Sequence, residues 1–400
     1  MLPVLLRPDG RAELERAIAI ADRIAETDPV RRAAMLRRTL LAEHPVSADH
    51  LPELAGAALA QSELRSVART KFGALAATLL FTQAGVEQAS RVEVADHRAA
   101  RFARAGMPAV LDLCCGIGAD LLAFQRAGLA VAGVERDAET AAIAAANTGA
   151  PIVVGDAEAA DWRSAEAVFC DPARRDGRGR TFDPAGFSPP FGFVTELLAG
   201  AQLAAAKLAP GLDHALIPAG VEAEWVSFAG GVKEAVLWSA GFADGPVTRR
   251  ATVLPGGQQL TDADPASFTV GGIGEYLYEP DGAVIRAGLV RQLAGLLPGG
   301  RRIDEHLAYL SCDAPLAGSL AGSLGRGFRV LEVLPYSVKR LRAALAARQV
   351  GIVEIKKRGV DVDPAALRRE LKPSGPNSVT VLLARVGERR LAILADPVRV

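Results

Sequence analysis

The chain has 400 residues, half of them hydrophobic, 23% charged and with zero formal net charge. That composition excludes a disordered or fibrous protein, and the length exceeds one ordinary core, so two or three globular domains are expected. Charge is uneven: residues 301–400 hold 18 Lys and Arg against 10 Asp and Glu, net +8, which leaves the first 300 residues at net −8.

Residues 1–105 read as helical. Ala12–Ala25 and Ala33–Ala42 carry apolar residues three to four apart with no β-branched runs, and helical patterns follow over Glu53–Ala84 and Val92–Arg104. Gly106-Met107-Pro108 punctuates the chain, and the period then changes. Strands are predicted at Ala109–Leu113, Ala130–Val134, Ile152–Val154 and Ala167–Cys170, with helices at Ala119–Ala127 and Ala138–Asn147 between the first three. A long helix is predicted over Phe193–Leu208, a strand at His214–Pro218, and a strand pair at Glu234–Trp238 and Thr248–Leu254. Alternation at this rhythm indicates a mostly parallel sheet built from βαβ units. Phe268–Ile285 reads as a connecting hairpin around Pro280-Asp281-Gly282. A second small α/β module closes the chain. Its strands are Phe328–Val333, Val350–Ile355, Val379–Ala384 and Arg390–Leu394, and its helices Ser337–Ala347 and Pro364–Leu371. The expected domains are thus residues 1–105, helical; 106–290, a Rossmann-like α/β domain; and 300–400, a small α/β domain.

The amino terminus shows no secretory pattern, and apolar stretches such as Phe72–Phe81 reach about half a membrane span. The four cysteines show no framework spacing, so reduced thiols in a cytoplasm are expected. Neither a membrane nor a metal is expected: His97, His214 and His306 lack metal-ligand spacing.

The chemistry concentrates after Pro108. In Val110-Leu-Asp-Leu-Cys-Cys-Gly-Ile-Gly118 an apolar strand enters a glycine turn that opens a helix. The nicotinamide fingerprint needs a third glycine three positions beyond Gly118, where helix meets strand; Leu121 stands there. Asp112, at the strand end, would repel a pyrophosphate but suits a cofactor bearing a cationic amine and a sulfonium. These two features favour S-adenosylmethionine over NAD. Glu135 ends the second strand, 23 residues after Asp112, where a carboxylate can accept both ribose hydroxyl protons. Asp156 follows the third strand and is placed to take an adenine amino group, with the Ala157 amide offered to the ring. Val168-Phe-Cys-Asp-Pro-Ala-Arg174 closes the fourth strand with an acid and a proline facing the methyl position. Any one of these acids is also explained as a helix cap or turn former. Four of them at the carboxyl ends of successive strands mark the edge where open α/β sheets bind ligands.

These motifs resemble those of class I S-adenosylmethionine-dependent methyltransferases over residues 109–255. Asp171-Pro-Ala-Arg174 is similar to the Asp-Pro-Pro-Arg and Asp/Asn-Pro-Pro-aromatic motifs of nucleobase methyltransferases, with Ala173 in place of the second proline. Ala89-Ser-Arg-Val-Glu-Val-Ala-Asp-His97 and Arg101 resemble the segment preceding the first motif in RNA guanine-N2 methyltransferases. Glu354-Ile-Lys-Lys-Arg-Gly359 and Leu371-Lys-Pro-Ser-Gly375 resemble a THUMP-like domain. The resemblance implies a cofactor site of Asp112, Leu113, Cys114, Gly116, Gly118, Glu135, Arg136, Asp156 and Ala157, and catalytic roles for Asp171, Pro172 and Arg174. It implies a nucleobase nitrogen of tRNA or rRNA as the methyl acceptor.

Alternatives stand beside that reading. Arg174 can stack on a base or hold a phosphate, or pair with Asp176 or Asp183. Cys170 can be imagined as a covalent nucleophile, or as the end of a buried strand. The basic tail, with Lys339, Arg340, Arg342, Arg348, Lys356, Lys357 and Arg358, either meets a polyanion or is a solvated face. The chain as a whole also reads as a methyltransferase for a small molecule or protein, or as a catalytically inactive cofactor-binding RNA module.

Overall fold

The computed structural model describes residues 8–43, 50–174, 186–243, 245–314 and 323–398. The chain forms two compact units, Met1–Leu208 with Trp238–Phe242, and Ala209–Leu237 with Ala243–Val400.

The first unit opens with helices α1 (Pro8–Arg23), α2 (Pro29–Glu43), α3 (Leu51–Phe72), α4 (Gln83–Gln88) and α5 (Val92–Arg104). Helix α3 starts with Pro52 in its first turn, where the missing N–H costs nothing. The helical pattern expected to run on to Ala84 breaks after Phe72, at Gly73 with φ +54. Thr82 then caps α4 by accepting from the Gly85 amide at 2.9 Å. Lys71 closes the other end of α4, donating to the carbonyls of Val86 at 2.8 Å and Ala89 at 3.1 Å. Leu14, Ile18, Leu36, Leu40, Leu54 and Phe81 build the helical core, which also takes in Ile117 and Ile143 from the α/β part of the unit. Asn147 clamps the two parts, accepting from the Leu80 amide at 2.8 Å and donating to the carbonyls of Leu80 at 2.9 Å and Ile117 at 3.0 Å.

The α/β part runs β1 (Ala109–Asp112), α6 (Ala119–Arg126), β2 (Ala130–Glu135), α7 (Ala138–Thr148), β3 (Ile152–Val154) and β4 (Ala167–Cys170). A two-residue ribbon, β5 (Ala173–Arg174) with β6 (Phe187–Ser188), leads to α8 (Phe191–Gly200) and β7 (Leu203–Leu208). The strands lie in the order β7-β4-β1-β2-β3, and each pair is parallel. That order reverses beside β1, which creates the crevice between β1 and β4 where such sheets bind ligands.

The long helix expected over Phe193–Leu208 is instead α8 and β7. Leu203-Ala-Ala-Ala-Lys-Leu208 has strong helix formers, but its first four side chains are fully enclosed in the sheet, and burial overrides propensity.

Beyond β7 in the chain, β8 (Glu222–Phe228), β9 (Gly231–Trp238), β10 (Arg249–Leu254) and β11 (Gln258–Thr261) lie in the order β11-β10-β8-β9. The strand expected at His214–Pro218 is a 3₁₀ turn, His214–Leu216, capped by Asp213 accepting from the Ala215 amide at 3.0 Å. The strand that does form, β8, has no clear apolar pattern in the sequence, because two acids, Glu222 and Glu224, interrupt it. As a result β9 and β10 are both strands but not partners; β8 separates them.

Farther on come β12 (Tyr276–Pro280), α9 (Gly282–Arg286), α10 (Val290–Leu296), β13 (Arg301–Arg302), β14 (Leu310–Cys312), β15 (Gly325–Pro335), α11 (Val338–Ala347), β16 (Val350–Arg358), α12 (Pro364–Leu371), β17 (Asn377–Val386) and β18 (Arg389–Val398). The sheet order is β13-β14-β12-β15-β18-β17-β16. The hairpin expected over Phe268–Ile285 does not form. Only β12 is a strand there, and it pairs with β14 and β15, while Asp281 turns the chain into α9. Period-two alternation places Val381, Leu383, Ala392 and Leu394 against Leu341, Leu345, Leu367 and Leu371 of the helices. The intervening Leu382, Ala384, Ile393 and Ala395 pack with Leu277, Tyr309 and Phe328 on the other face. Among the described residues no helix is long and apolar enough to cross a membrane.

Candidate active site

Asp112 is the last residue of β1 and is buried. Its Oδ1 accepts the Cys114 amide at 3.2 Å, which curls the chain into the glycine turn. Gly116 takes φ +54, and a Cβ placed on it would meet nothing within 4 Å: the turn faces open space. Gly118 takes φ +85 as it opens α6, and a Cβ there would lie 2.7 Å from Cγ2 of Thr148. Only glycine satisfies both the dihedral and the contact. Leu121, where the nicotinamide fingerprint has glycine, is fully buried and packs with Cys115, Ala144, Val131 and Ile152.

Glu135 ends β2, and its two oxygens accept the Gly116 amide at 3.0 Å and the Asp137 amide at 2.9 Å. Each carboxylate oxygen keeps a second lone pair for a ligand hydroxyl. Asp156 follows β3, is exposed, and caps the turn at Ala157 by accepting the Glu158 amide at 3.0 Å, while Ala157 is buried. Arg136 is exposed and reaches Oγ of Ser188 in β6 at 3.4 Å. Leu113 has a buried side chain and spends its amide on the Phe169 carbonyl at 2.9 Å, so it contributes a wall and no donor. Cys114 is half-buried.

Asp171 directly follows β4, and its Oδ2 accepts from Nζ of Lys207 on β7. Pro172 is buried, and the Arg174 backbone pairs with Phe187 in the ribbon. The Arg174 side chain, Asp176 and Asp183 lie outside the described residues, as does any pairing between them. Because β1 to β4 are parallel, Asp112, Glu135, Asp156 and Asp171 all stand at one edge of the sheet. The register of Asp112 with both Gly133 and Phe169 centres that edge on β1.

Charge is unusually dense there. Burial pushes the Asp112 carboxyl well above the usual carboxylate range, and the neighbouring Asp120 and Asp171 add to the shift. Asp120, on α6, behaves oppositely. Burial acts to raise it, but the fully buried Arg98 guanidinium, Lys207 and the Ser90 hydroxyl together hold it below its ordinary value. Arg98 also donates to Oγ of Ser90 at 2.8 Å and lies 5.2 Å from the centre of the Phe169 ring. Asp171 is raised by burial, against the pull of Lys207. The Cys170 thiol is pushed up, first by hydrogen bonding with Cys114 and then by complete burial. A protonated, inaccessible thiol is a poor nucleophile, which favours the packing role for Cys170.

Arg98, Asp120, Asn147 and Lys207 did not stand out in the sequence. Lys207 lies in an alanine- and leucine-rich stretch whose composition favours helix, although a lone lysine amid apolar residues is itself a signal. An acid two residues beyond Gly118, with an arginine on the preceding helix, was the available clue for Asp120 and Arg98.

The parallel order, the glycine turn with Leu121 and the acidic rim define a Rossmann-like fold of the methyl-transfer type. Over residues 325–397 the chain matches the family model described as THUMP domain-like. It is 38% identical over 321 residues to a protein described as an S-adenosylmethionine-dependent methyltransferase in Mycobacterium tuberculosis strain CDC 1551, covering 78% of this chain and 86% of that one. The counterpart in strain H37Rv matches to the same extent. A crystal structure described as a methyltransferase from Porphyromonas gingivalis W83 superposes with a TM-score of 0.72 at 22% identity, covering 97% of this chain and 99% of that chain. The chain belongs to the S-adenosylmethionine-dependent methyltransferases, enzymes whose methyl donor is S-adenosylmethionine.

The site's residues fit that donor. Open space in front of Gly116 allows close approach to the backbone, and the carboxyl groups at the same sheet edge suit a group that carries a cationic amine.

Proposed function

We propose that the enzyme methylates a nucleobase nitrogen in structured RNA, tRNA or rRNA, in the cytoplasm. One pairing carries this reading. A site whose reacting edge ends in Asp171-Pro172 sits on the same chain as a THUMP-like module. In this reading residues 106–290 hold the donor, 300–400 deliver RNA, and the helices of 1–105 support the site. Glu135 receives the ribose hydroxyls, Asp156 and Ala157 the adenine, and Asp112 the amino-acid end of the donor. Leu113, Cys114, Gly116, Gly118 and Arg136 complete the lining.

When bound, the donor supplies a methyl carbon on a sulfonium with a neutral thioether as leaving group. The chain's task is alignment, which is worth about 7–11 kcal/mol in well-oriented systems. An exocyclic nucleobase amine is a weak nucleophile because its lone pair is delocalised into the ring. Asp171 and the Pro172 carbonyl accept its two N–H bonds, which localises the lone pair and stabilises positive charge growing on nitrogen. Arg174 stacks on the base or holds its phosphate.

One observation favours a second reading, with a small-molecule or protein acceptor. Part of the basic tail is spent internally: Lys356 and Arg358 pair with Glu279 at 2.6 and 3.3 Å, and Arg348 with Glu332 at 2.8 Å. Label transfer decides between them. With methyl-labelled donor and bulk RNA from cells lacking the protein, nuclease-sensitive label is expected. Asp171→Ala should abolish it while leaving S-adenosylhomocysteine affinity within about threefold, because the interaction is made with the acceptor and not the donor. Label appearing only in protein or small molecules would refute the RNA reading.

A further inference from the structure

Lys207 is the one charged residue of β7, whose other side chains are buried and apolar. It follows the last pair of the β4–β7 ladder, Cys170 with Ala206, so it stands beside Asp171, and its ammonium meets Oδ2 of that residue. Side-chain exposures of 15% for Lys207 and 28% for Asp171 leave the pair largely enclosed yet still reachable at the sheet edge. A lysine enclosed to that degree needs a counter-charge, and this one finds it at the group read above as the acceptor of substrate N–H bonds.

The surrounding groups define what Lys207 adds. Asp112 on β1, Asp120 on α6, Arg98 on α5 and Cys170 on β4 all act electrostatically on this corner. Arg98 is engaged with Asp120 and Ser90, and Lys71, on which Lys207 acts electrostatically, donates to the carbonyls that end α4. Burial and the neighbouring Asp120 disfavour charge on Asp171, while Lys207 and, more weakly, Arg98 favour it. An uncharged Asp171 would offer a weaker acceptor and would not stabilise an aminium-like nitrogen. An ammonium is a compact point charge, so it can hold one carboxylate oxygen and leave the other accessible.

We propose that Lys207 is a positioning residue for methyl transfer: by fixing Oδ2 of Asp171, it presents Oδ1 as a charged acceptor to the substrate's N–H. The proposal rests on the role given to Asp171 under the proposed function. It makes Asp171 and Lys207 one functional unit, drawn from adjacent parallel strands.

The test uses the full-length protein labelled with carboxyl-¹³C aspartate, with Asp171→Asn to assign the Asp171 resonance. In Lys207→Met this carboxyl should titrate about one pH unit or more higher than in the parent, as expected when an adjacent opposite charge is removed. Lys207→Arg, which restores a cation, should bring the titration most of the way back. S-adenosylhomocysteine affinity and thermal unfolding check that each variant is folded; if Lys207→Met does not fold, Lys207→Gln takes its place. An Asp171 titration that does not move in the folded variant overturns the proposal. In methyl transfer to bulk RNA, the acidic limb of the pH profile should move with the carboxyl. An acidic limb that stays put while the carboxyl moves also overturns it, because the pair would then be structural. If the parent labels no RNA, it is the RNA reading that falls, and the carboxyl titration still decides whether Lys207 governs Asp171.

Discussion

In the proposed function Asp112 meets the amino-acid end of the donor, and its environment makes that contact depend on pH. Its carboxyl is buried, with Asp120 and Asp171 close by, and all three influences favour the protonated form. A ligand that brings an ammonium to this carboxyl reverses that preference, so binding expels a proton wherever the free protein still holds one. The sign follows directly. Affinity for S-adenosylhomocysteine should be flat above the raised titration point of Asp112 and should weaken as pH falls through it. Calorimetry in buffers of different ionisation heat reads the released proton, and Asp112→Asn should abolish both the release and the pH slope. An equal slope in that variant would assign the effect elsewhere. That Asp112, Glu135, Asp156 and Asp171 share one sheet edge was legible in the sequence, because each stands at or just past the end of a short strand and parallel strands carry their ends to one edge. Lys207 was not, because its flanking alanines carry no preference strong enough to mark a strand. Nor did the sequence indicate that Glu135 would brace the glycine turn through the Gly116 amide, a contact made between separate loops.

At the scale of elements, α5 and α6 are joined by the Arg98–Asp120 pair, with side-chain exposures of 0% and 9%. Removing one partner strands the other charge, which typically costs about 3–5 kcal/mol. Arg98→Met should therefore lower stability in denaturant by roughly that amount, whereas Arg98→Met with Asp120→Leu should recover much of it. Asp120 sits below its ordinary range because Arg98, Lys207 and Ser90 outweigh burial. The unfolded chain therefore binds its proton more readily than the native one. The contribution is whole above the ordinary carboxylate range and is lost as pH falls through the depressed native value. A single variant as stable as the parent would show that the pair contributes nothing. Elements such as α5, with its clean helical period, and β3, a short β-branched run, were legible to the residue. Those that failed did so for two physical reasons: enclosure turned the alanine-rich β7 into a strand, and charged residues concealed β8.

For the whole molecule, the proposed function gives the basic C-terminal module the task of meeting RNA phosphates. Lys339, Arg340 and Lys357 are exposed, whereas Lys356 and Arg358 are drawn inward to Glu279. If the exposed cations meet phosphates, RNA affinity should fall steeply with salt, the logarithm of the binding constant dropping by about 0.7–0.9 per contact for each decade of salt. Lys339→Glu with Arg340→Glu should flatten that slope. Affinity that does not change between low and moderate salt would remove the RNA assignment while leaving methyl-donor binding intact. The α/β alternation of this module was legible from its strand and helix periods. The participation of β12 in its sheet was not, since pairing across 50 residues leaves no local signature.

Beneath all of this lies the claim that carboxyl groups at the rim of β1 to β3 grip the donor. Glu135 tests it most directly, since it braces the Gly116 turn and is the residue assigned to the ribose hydroxyls under the proposed function. Calorimetric titration of S-adenosylhomocysteine into Glu135→Ala should show affinity reduced by about tenfold or more, the worth of at least one charged hydrogen bond. Affinity equal to that of the parent protein would contradict the account.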